Sequence, residues 1–230
     1  MAQKTSRRTA PDAPASAARF VRRSAAAIRA RERVGQRRAE YWSLVQWATR
    51  NNRLVSFRFI EQFRYFGGGA EHRVYYDERN KAAVKATYPN RFGHSMSAEG
   101  ALATPAEYLK RLGWHNRLFG DEIKIIGVAY EDDQLEIVIS QPWINAHPRN
   151  PNPSQDEITA YFERFGFVHV PLNPDAPLYY HFGFRLLVGD AHDRNVIRDE
   201  NNKLAAIDVV IGTPGPEIHA TVLSCLAAVT

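Results

Sequence analysis

Asp190, Asn195 and Asp208 are the residues of this 230-residue chain whose types and spacing bear most directly on chemistry. Asn195 follows Asp190 by five residues, and Asp208 follows Asn195 by thirteen. Apolar runs lead into each part: Phe184 to Val188 before Gly189-Asp190, Val196-Ile197 after Asn195, and Leu204 to Ile207 before Asp208. Phosphoryl transfer uses such a set. One carboxylate meets the acceptor hydroxyl, while a carboxamide and a second carboxylate hold Mg²⁺ on the nucleotide phosphates. An isolated Asp-x4-Asn match is common, but its placement between paired apolar strands with an Ile-Asp strand end behind it is not.

The same chemistry needs backbone close to phosphates and a cation on them. Gly67-Gly68-Gly69 lies between two strand-like runs, and glycine has no Cβ to keep a phosphate away. Lys85 follows sixteen residues after Gly69 within Ala83-Val84-Lys85-Ala86, where it can supply the cation. A plain flexible turn and an edge lysine are the bland alternatives for this pair. Glu107, in the first helix after the Lys85 strand, is placed to pair with that lysine. Its spacing from Thr104 equally makes it a helix-capping residue, and the two roles compete. Gln141-Pro142-Trp143 follows the apolar run Ile137 to Ser140, where a connector would meet the adenine of a nucleotide and Trp143 would cover the base. Simple packing is the other reading for Trp143, and the sequence does not choose.

The elements that must position these residues are legible in outline. Residues 1–15 show no apolar period and are expected to be disordered. Residues 16–50 favour helix, with a break expected near Gly35 and with Trp42 and Trp47 as packing anchors. From Leu54 the pattern alternates, predicting a strand over Leu54 to Ile60. Further strands are expected around Arg73 to Tyr76, Ala82 to Ala86, Ile123 to Tyr130 and Gln134 to Ser140. Thr104, Pro105 and Glu107 fit the N-cap, N1 and N3 positions of a helix running to about Phe119. Ser154 to Glu157 caps a second helix ending before Gly166.

In this order (glycines, Lys85, Glu107, connector, Asp190, Asn195, Asp208) the chain resembles the protein-kinase-like superfamily. Gly189-Asp190-Ala191-His192-Asp193-Arg194-Asn195 and Ile207-Asp208 are similar to the aminoglycoside-phosphotransferase branch. More closely, the chain resembles the small kinase domain of polyvalent proteins from phages and mobile elements. Thr104 to Leu109, Asn116 to Asp121, Ser140 to Trp143, Gly166-Phe167 and Gly189 to Asn195 carry that closer match, over roughly Leu54 to Gly212. The resemblance implies an α+β, kinase-like bilobal fold with an antiparallel N-lobe sheet over about 51–140 and a reduced C-lobe over about 141–230. A basic, partly disordered and helical extension over 1–50 would precede it. The resemblance also implies ATP and Mg²⁺ as cofactors, Asp190 as base, and Asn195 and Asp208 as metal ligands. Lys85 would lie on the phosphates and pair with Glu107, and His192 would brace the loop. The phosphate acceptor, a protein or a small molecule, is not specified. Three departures stand out. Val188 occupies a position that is His in related loops, and Asp208 is followed by Val-Val rather than Phe-Gly. Only 22 residues follow Asp208, too few for a full activation segment and peptide-docking platform.

Composition bounds the remaining classes. The whole chain has 30 Lys/Arg and 25 Asp/Glu, but residues 1–38 hold eleven of the basic side chains against only Asp12 and Glu32. The basic character is therefore local, and the rest of the chain is net acidic. The arm over 1–38 reads as a nucleic-acid- or polyanion-binding segment, as a transit-peptide-like leader, or as a solvated tail. A single cysteine, Cys225, cannot form an internal disulfide or a zinc cluster, which fits a reducing compartment. The resemblance implies a protein in the cytoplasm of a bacterial host cell, made there or delivered by a phage. No apolar run has membrane-span length. A nucleotide-binding protein without turnover remains the alternative to an active enzyme.

Overall fold

The change from helix-favouring to alternating sequence near residue 54 marks the entry into a sheet. The computed structural model describes residues 33–97, 101–172 and 176–228, together with Pro14 and Ala17. The expectations for the basic arm lie almost wholly outside the described residues. Helix α1, Arg33–Arg50, continues through Gly35 without the expected break. An interior glycine costs a helix only about 1 kcal/mol, which tertiary packing readily offsets. That packing comes from Tyr41, Leu44, Trp47 and Ala48, spaced along one face and buried. Trp42 lies on another face, half exposed, with its ring 5.3 Å from that of Tyr130.

Six strands form the main sheet: β1 Leu54–Val55, β2 Arg64–Gly68, β3 His72–Asp77, β4 Ala82–Thr87, β5 Lys124–Glu131 and β6 Gln134–Pro142. Their order is β1-β5-β6-β4-β3-β2. Every pairing is antiparallel except β1 with β5. The strand expected over Leu54 to Ile60 stops at Val55, and a 3-10 helix over Phe57–Gln62 replaces the rest. Alternating apolar residues do not distinguish a short strand from a tight helical turn. Here only Ile60 is buried, against Val84, Ala86 and Val138, and Phe59 packs on Phe63.

Helix α2, Pro105–Leu118, begins as the sequence predicts: Thr104 accepts from the Glu107 amide while Glu107 accepts from the Thr104 amide. Its Tyr108, Leu109 and Leu112 share a core with α1 and with Ile125, Val128, Leu135, Ile137 and Ile139 of the sheet. β4 is paired on both sides, by β3 and β6, so Lys85 emerges from a strand that cannot shift without breaking two ladders.

A second core surrounds helix α3, Gln155–Glu163, which Ser154 and Glu157 cap reciprocally. A four-stranded antiparallel sheet packs beside it: β12 Val210–Gly212, β9 Leu186–Gly189, β8 Leu178–His181 and β7 Val168–Val170, in that order. The hairpin β10 Val196–Arg198 with β11 Leu204–Ala206 forms its own ladder. Helix α4, Pro216–Ala227, had no signal in the sequence reading; its Val222 packs on Val170, Tyr180 and Leu187. The content is thus mixed α+β, with one six-stranded and two smaller sheets. Among the described residues no helix is long and apolar enough to cross a membrane.

Arg198, nearly buried at the end of β10, donates to Glu157 at 2.7 Å and to the Asn150 carbonyl at 3.1 Å. It thereby ties the strand leaving the Asp190–Asn195 loop to α3. The Arg198 hydrogen bond, with those from Ser154, lowers the Glu157 pKa below its usual 4.5. A carboxylate lowered on folding adds stability above its unfolded pKa, and that stability is lost as pH falls through the folded value. Glu157→Gln should therefore unfold at lower urea than the wild type at pH 7, with the difference closing below about pH 4, the range in which free glutamate protonates. A difference independent of pH would show that the charge on Glu157 does not matter.

Candidate active site

Lys85 is the side chain from which the site can be built. It is nearly buried on β4, and a buried ammonium needs partners because its charged form is costly to desolvate. It donates to the Ile207 carbonyl at 2.8 Å and lies 3.5 Å from Asp208 Oδ1. A lysine of the six-stranded sheet thus meets the acid that the sequence places at the end of an apolar strand, 123 residues later.

Asp208 is held from several sides. Its preceding neighbour, Ile207, donates its amide to the Asn195 carbonyl at 2.8 Å, and the Asp208 amide points to the same oxygen at 3.4 Å. The residue after it, Val209, offers its carbonyl to His115 Nε2 of α2 at 2.9 Å, and His115 Nδ1 meets Asp121 at 2.7 Å. His72 Nδ1, at the start of β3, lies 3.6 Å from Asp208 Oδ1. Burial alone would raise the Asp208 pKa. Lys85 first, then His72 and Arg111, outweigh burial and hold the carboxyl well below the usual range. Asp208 is therefore ionised at any ordinary pH. Its Oδ2 accepts no hydrogen bond from the described residues, and its side chain remains 40% exposed.

The loop after β9 orients Asp190. Asp190 has φ +56°, a left-handed conformation that aspartate and asparagine tolerate better than most residues. Asn195 Nδ2 bridges the Asp190 carbonyl at 2.9 Å and its Oδ2 at 2.7 Å. His192 Nε2 sits 3.2 Å from the other carboxylate oxygen, and His192 Nδ1 accepts from the Arg194 amide. That acceptor role places the ring proton on Nε2, facing Asp190. Gly189 leaves room for two neighbouring side-chain tips, since a Cβ there would come within 2.9 Å of the Met96 methyl and 3.1 Å of a Leu178 methyl and make them shift. Val188, which stands at the unusual position in this loop, is buried in the second core.

The glycines lie at the turn of the β2–β3 hairpin. A Cβ at Gly67 or Gly69 would meet nothing within 4 Å, whereas one at Gly68 would come within 3.2 Å of the Tyr88 hydroxyl. Gln141 is in the β6 ladder opposite Ala83, and the Trp143 amide donates to the Lys81 carbonyl. The Trp143 ring stands edge-on to Phe66 and Tyr76, at 4.7 and 4.8 Å, so in this structure it is a packing residue.

Glu107 departs from expectation. Among the described residues it makes no ion pair with Lys85. Its Oε2 accepts from the Thr104 amide, and its Oε1 accepts from Ser95 at 2.8 Å and Ser97 at 2.6 Å. The two competing roles of Glu107 resolve toward capping, because the first turn of α2 aims its side chain back over the helix N-terminus. The ionic residue that α2 buries is instead Arg111, bidentate to Glu71 at 3.2 and 2.7 Å. His72, Tyr108, Arg111 and His115 are absent from the sequence-based site. Tyr108, Arg111 and His115 share one face of α2 at i, i+3 and i+7, a helical spacing that could have drawn attention to them.

The profile of a family described as serine/threonine/tyrosine kinase found in polyvalent proteins matches residues 37–214. The match begins inside α1 and ends just after β12. No curated protein matches the chain.

Loss of the Glu107 cap by Glu107→Ala should cost about 1 kcal/mol of stability. Its effect on the Kd for ATP should be much smaller than that of Lys85→Ala. Calorimetric titration with ATP separates the two, and equal losses of affinity would restore Glu107 to the role of lysine partner.

Proposed function

We propose a specific reaction for this chain, which belongs to the family of serine/threonine/tyrosine kinases found in polyvalent proteins and is thus a phosphotransferase enzyme that uses ATP. The reaction is Mg²⁺-dependent transfer of the γ-phosphoryl group of ATP to a hydroxyl on a protein or small molecule. The observation that carries this reading is the convergence of Lys85 and Asp208, with Asn195 joined to Asp208 through its carbonyl. In this arrangement the six-stranded sheet with α1 and α2 is the N-lobe, and the elements from α3 onward are a small C-lobe. The described parts of residues 1–50 then divide: α1 packs on the N-lobe sheet, and any nucleic-acid or acidic partner of the basic arm remains a separate property of residues 1–38.

The residues present fit a magnesium ion. Asp208 Oδ2 and Asn195 Oδ1 are oxygen donors without hydrogen-bond partners among the described residues, and Mg²⁺ takes one or two protein oxygens beside phosphate oxygens and water. Among the described residues no cluster of three or more His, Cys, Asp or Glu could hold a metal unaided, so the phosphates must complete the site. Held by Asp208 and Asn195, such an ion would supply positive charge against the negative charge of the phosphates. Lys85 places its ammonium on the phosphates, and the open backbone at Gly67 and Gly69 lets them approach the β2–β3 turn. Gln141 and Trp143 border the base at the end of β6. The Asp190 carboxylate, oriented by Asn195 and His192, aligns the acceptor hydroxyl and takes its proton as the oxygen bonds to phosphorus and the bond to the bridging oxygen breaks.

Transfer from γ-labelled ATP, with no transfer from α-labelled ATP, is the expected result. Asp190→Ala should slow it by about 10²–10⁴-fold, the range for loss of a general base, and Lys85→Ala should abolish it. Label incorporated from the α-phosphate would replace this reading with nucleotidyl transfer. Nucleotide binding that stabilises the protein without any turnover would make the chain a binding module.

A further inference from the structure

His72 is fully buried, yet its Nδ1 has no hydrogen-bond partner. Buried polar atoms are nearly always bonded, so an orphaned one marks a place where the structure awaits a partner. The ring is fixed by its other nitrogen, since Nε2 lies 2.9 Å from the Tyr108 hydroxyl. Tyr108 is itself fully buried, and burial pushes its pKa well above the ordinary value, so the hydroxyl keeps its proton. Nδ1 faces a carboxylate, which can only accept, so the ring proton belongs on Nδ1 and Nε2 accepts from the Tyr108 hydroxyl. Nδ1 faces Asp208 Oδ1, the same oxygen that Lys85 approaches.

This arrangement has a consequence for the nucleotide-bound state, and it rests on the kinase reading above. Lys85 meets Asp208 here, while Glu107 accepts from Thr104, Ser95 and Ser97. A lysine that moves onto phosphates releases Asp208 Oδ1, and the His72 Nδ1 that faces the same oxygen is the protein donor left beside it. His72 Nδ1 is 0.1 Å farther from that oxygen than Lys85 Nζ is, at 3.6 against 3.5 Å. We propose that His72, oriented by Tyr108, is a positioning residue: its Nδ1–H takes over Asp208 Oδ1 when Lys85 engages the phosphates, and so aims Oδ2 at the metal. Arg111, on the same face of α2 and held by Glu71, keeps the pair in a positively charged setting without touching it. Outer-shell donors of this kind fix the orientation of a metal-ligating side chain.

Two amide substitutions separate this role from simple packing. Asparagine places its side-chain nitrogen where Nδ1 lies and cannot reach Tyr108. Glutamine places its nitrogen where Nε2 lies and satisfies Tyr108 but not Asp208. The measurement is Mn²⁺ binding, followed by electron paramagnetic resonance, to the full chain with a non-hydrolysable ATP analogue. His72→Gln should bind Mn²⁺ about 10–100-fold more weakly than the wild type, the usual loss for an outer-shell partner. His72→Asn should stay within a few-fold of the wild type, whatever its effect on stability. The reverse order, or wild-type affinity in His72→Gln, overturns the proposal and leaves His72 as a packing partner of Tyr108. Tyr108→Phe keeps the buried ring and removes the hydroxyl that holds the histidine's proton on Nδ1, a constraint an asparagine amide does not need. With His72 present it should therefore weaken Mn²⁺ binding while leaving metal-free nucleotide binding unchanged; no weakening also overturns the proposal. Asp208→Asn tests the underlying site separately. Wild-type Mn²⁺ affinity in that variant would refute the metal site itself, whereas loss there with none in the His72 and Tyr108 variants would refute only the role of His72.

Discussion

A buried ammonium on an inner strand must be partnered at all times, and the partner that Lys85 finds organises the molecule. The lysine reaches the Ile207 carbonyl and the Asp208 carboxylate, both in the segment that leads from β11 to β12. One contact therefore relates the six-stranded sheet to the smaller sheets. It is useful only if both ends are stiff. β4 is stiff because two neighbouring strands pair with it, and the 207–208 segment is stiff because the Asn195 carbonyl collects its amides. Removing Asp208 would leave the Lys85 ammonium charged and buried with only the Ile207 carbonyl as partner, which is why such a contact resists disruption more than it adds stability.

Helix α2 is the second organiser. Its core-facing Leu109 and Leu112 bind it to α1 and the sheet, while Tyr108, Arg111 and His115 form a polar face toward β3, Glu71 and Val209. Each of those side chains is buried, and each has a hydrogen-bond partner, so the face tolerates little sliding. Position along α2 is thus translated into the position of residue 209, next to the candidate metal ligand. The capping box at Thr104 and Glu107 sets where this face begins. A glutamate used as a cap is not available to a lysine one strand away.

The loop from Asp190 to Asn195 solves a different problem, because Asp190 is largely exposed and has no core to hold it. A left-handed backbone turns its carboxylate out of the β9 ladder, and the Asn195 amide clasps both the backbone and the side chain of that aspartate. His192 completes the orientation. Order at an exposed acid comes here from local hydrogen bonds rather than from packing, and the same asparagine passes its carbonyl to the segment carrying Asp208.

Much of this was legible in the order of residues. The capping boxes at 104–107 and 154–157, the hairpin around Gly67 to Gly69, the strand bearing Lys85 and the kinase resemblance all follow from local pattern, because caps, turns and strand periods are short-range properties. The strand expected to end at Ser140 instead continues through Gln141 to Pro142. The run from Leu54 to Ile60 misleads because its alternation is local, while Ile60 and Phe59 of the 3-10 helix there, with Phe63 after it, pack against Val84, Ala86 and Val138 of distant strands. The partner of Glu107 and the relevance of His72 were not readable. His72 meets Tyr108 across 36 residues, and Lys85 meets Ile207 across 122. Such encounters are decided by strand register and helix rotation, which place side chains in contact only after the sheets and α2 have packed. Residue order by itself therefore determined which groups the chain possesses and the local elements that carry them. The tertiary structure alone decided which of them share one buried charge.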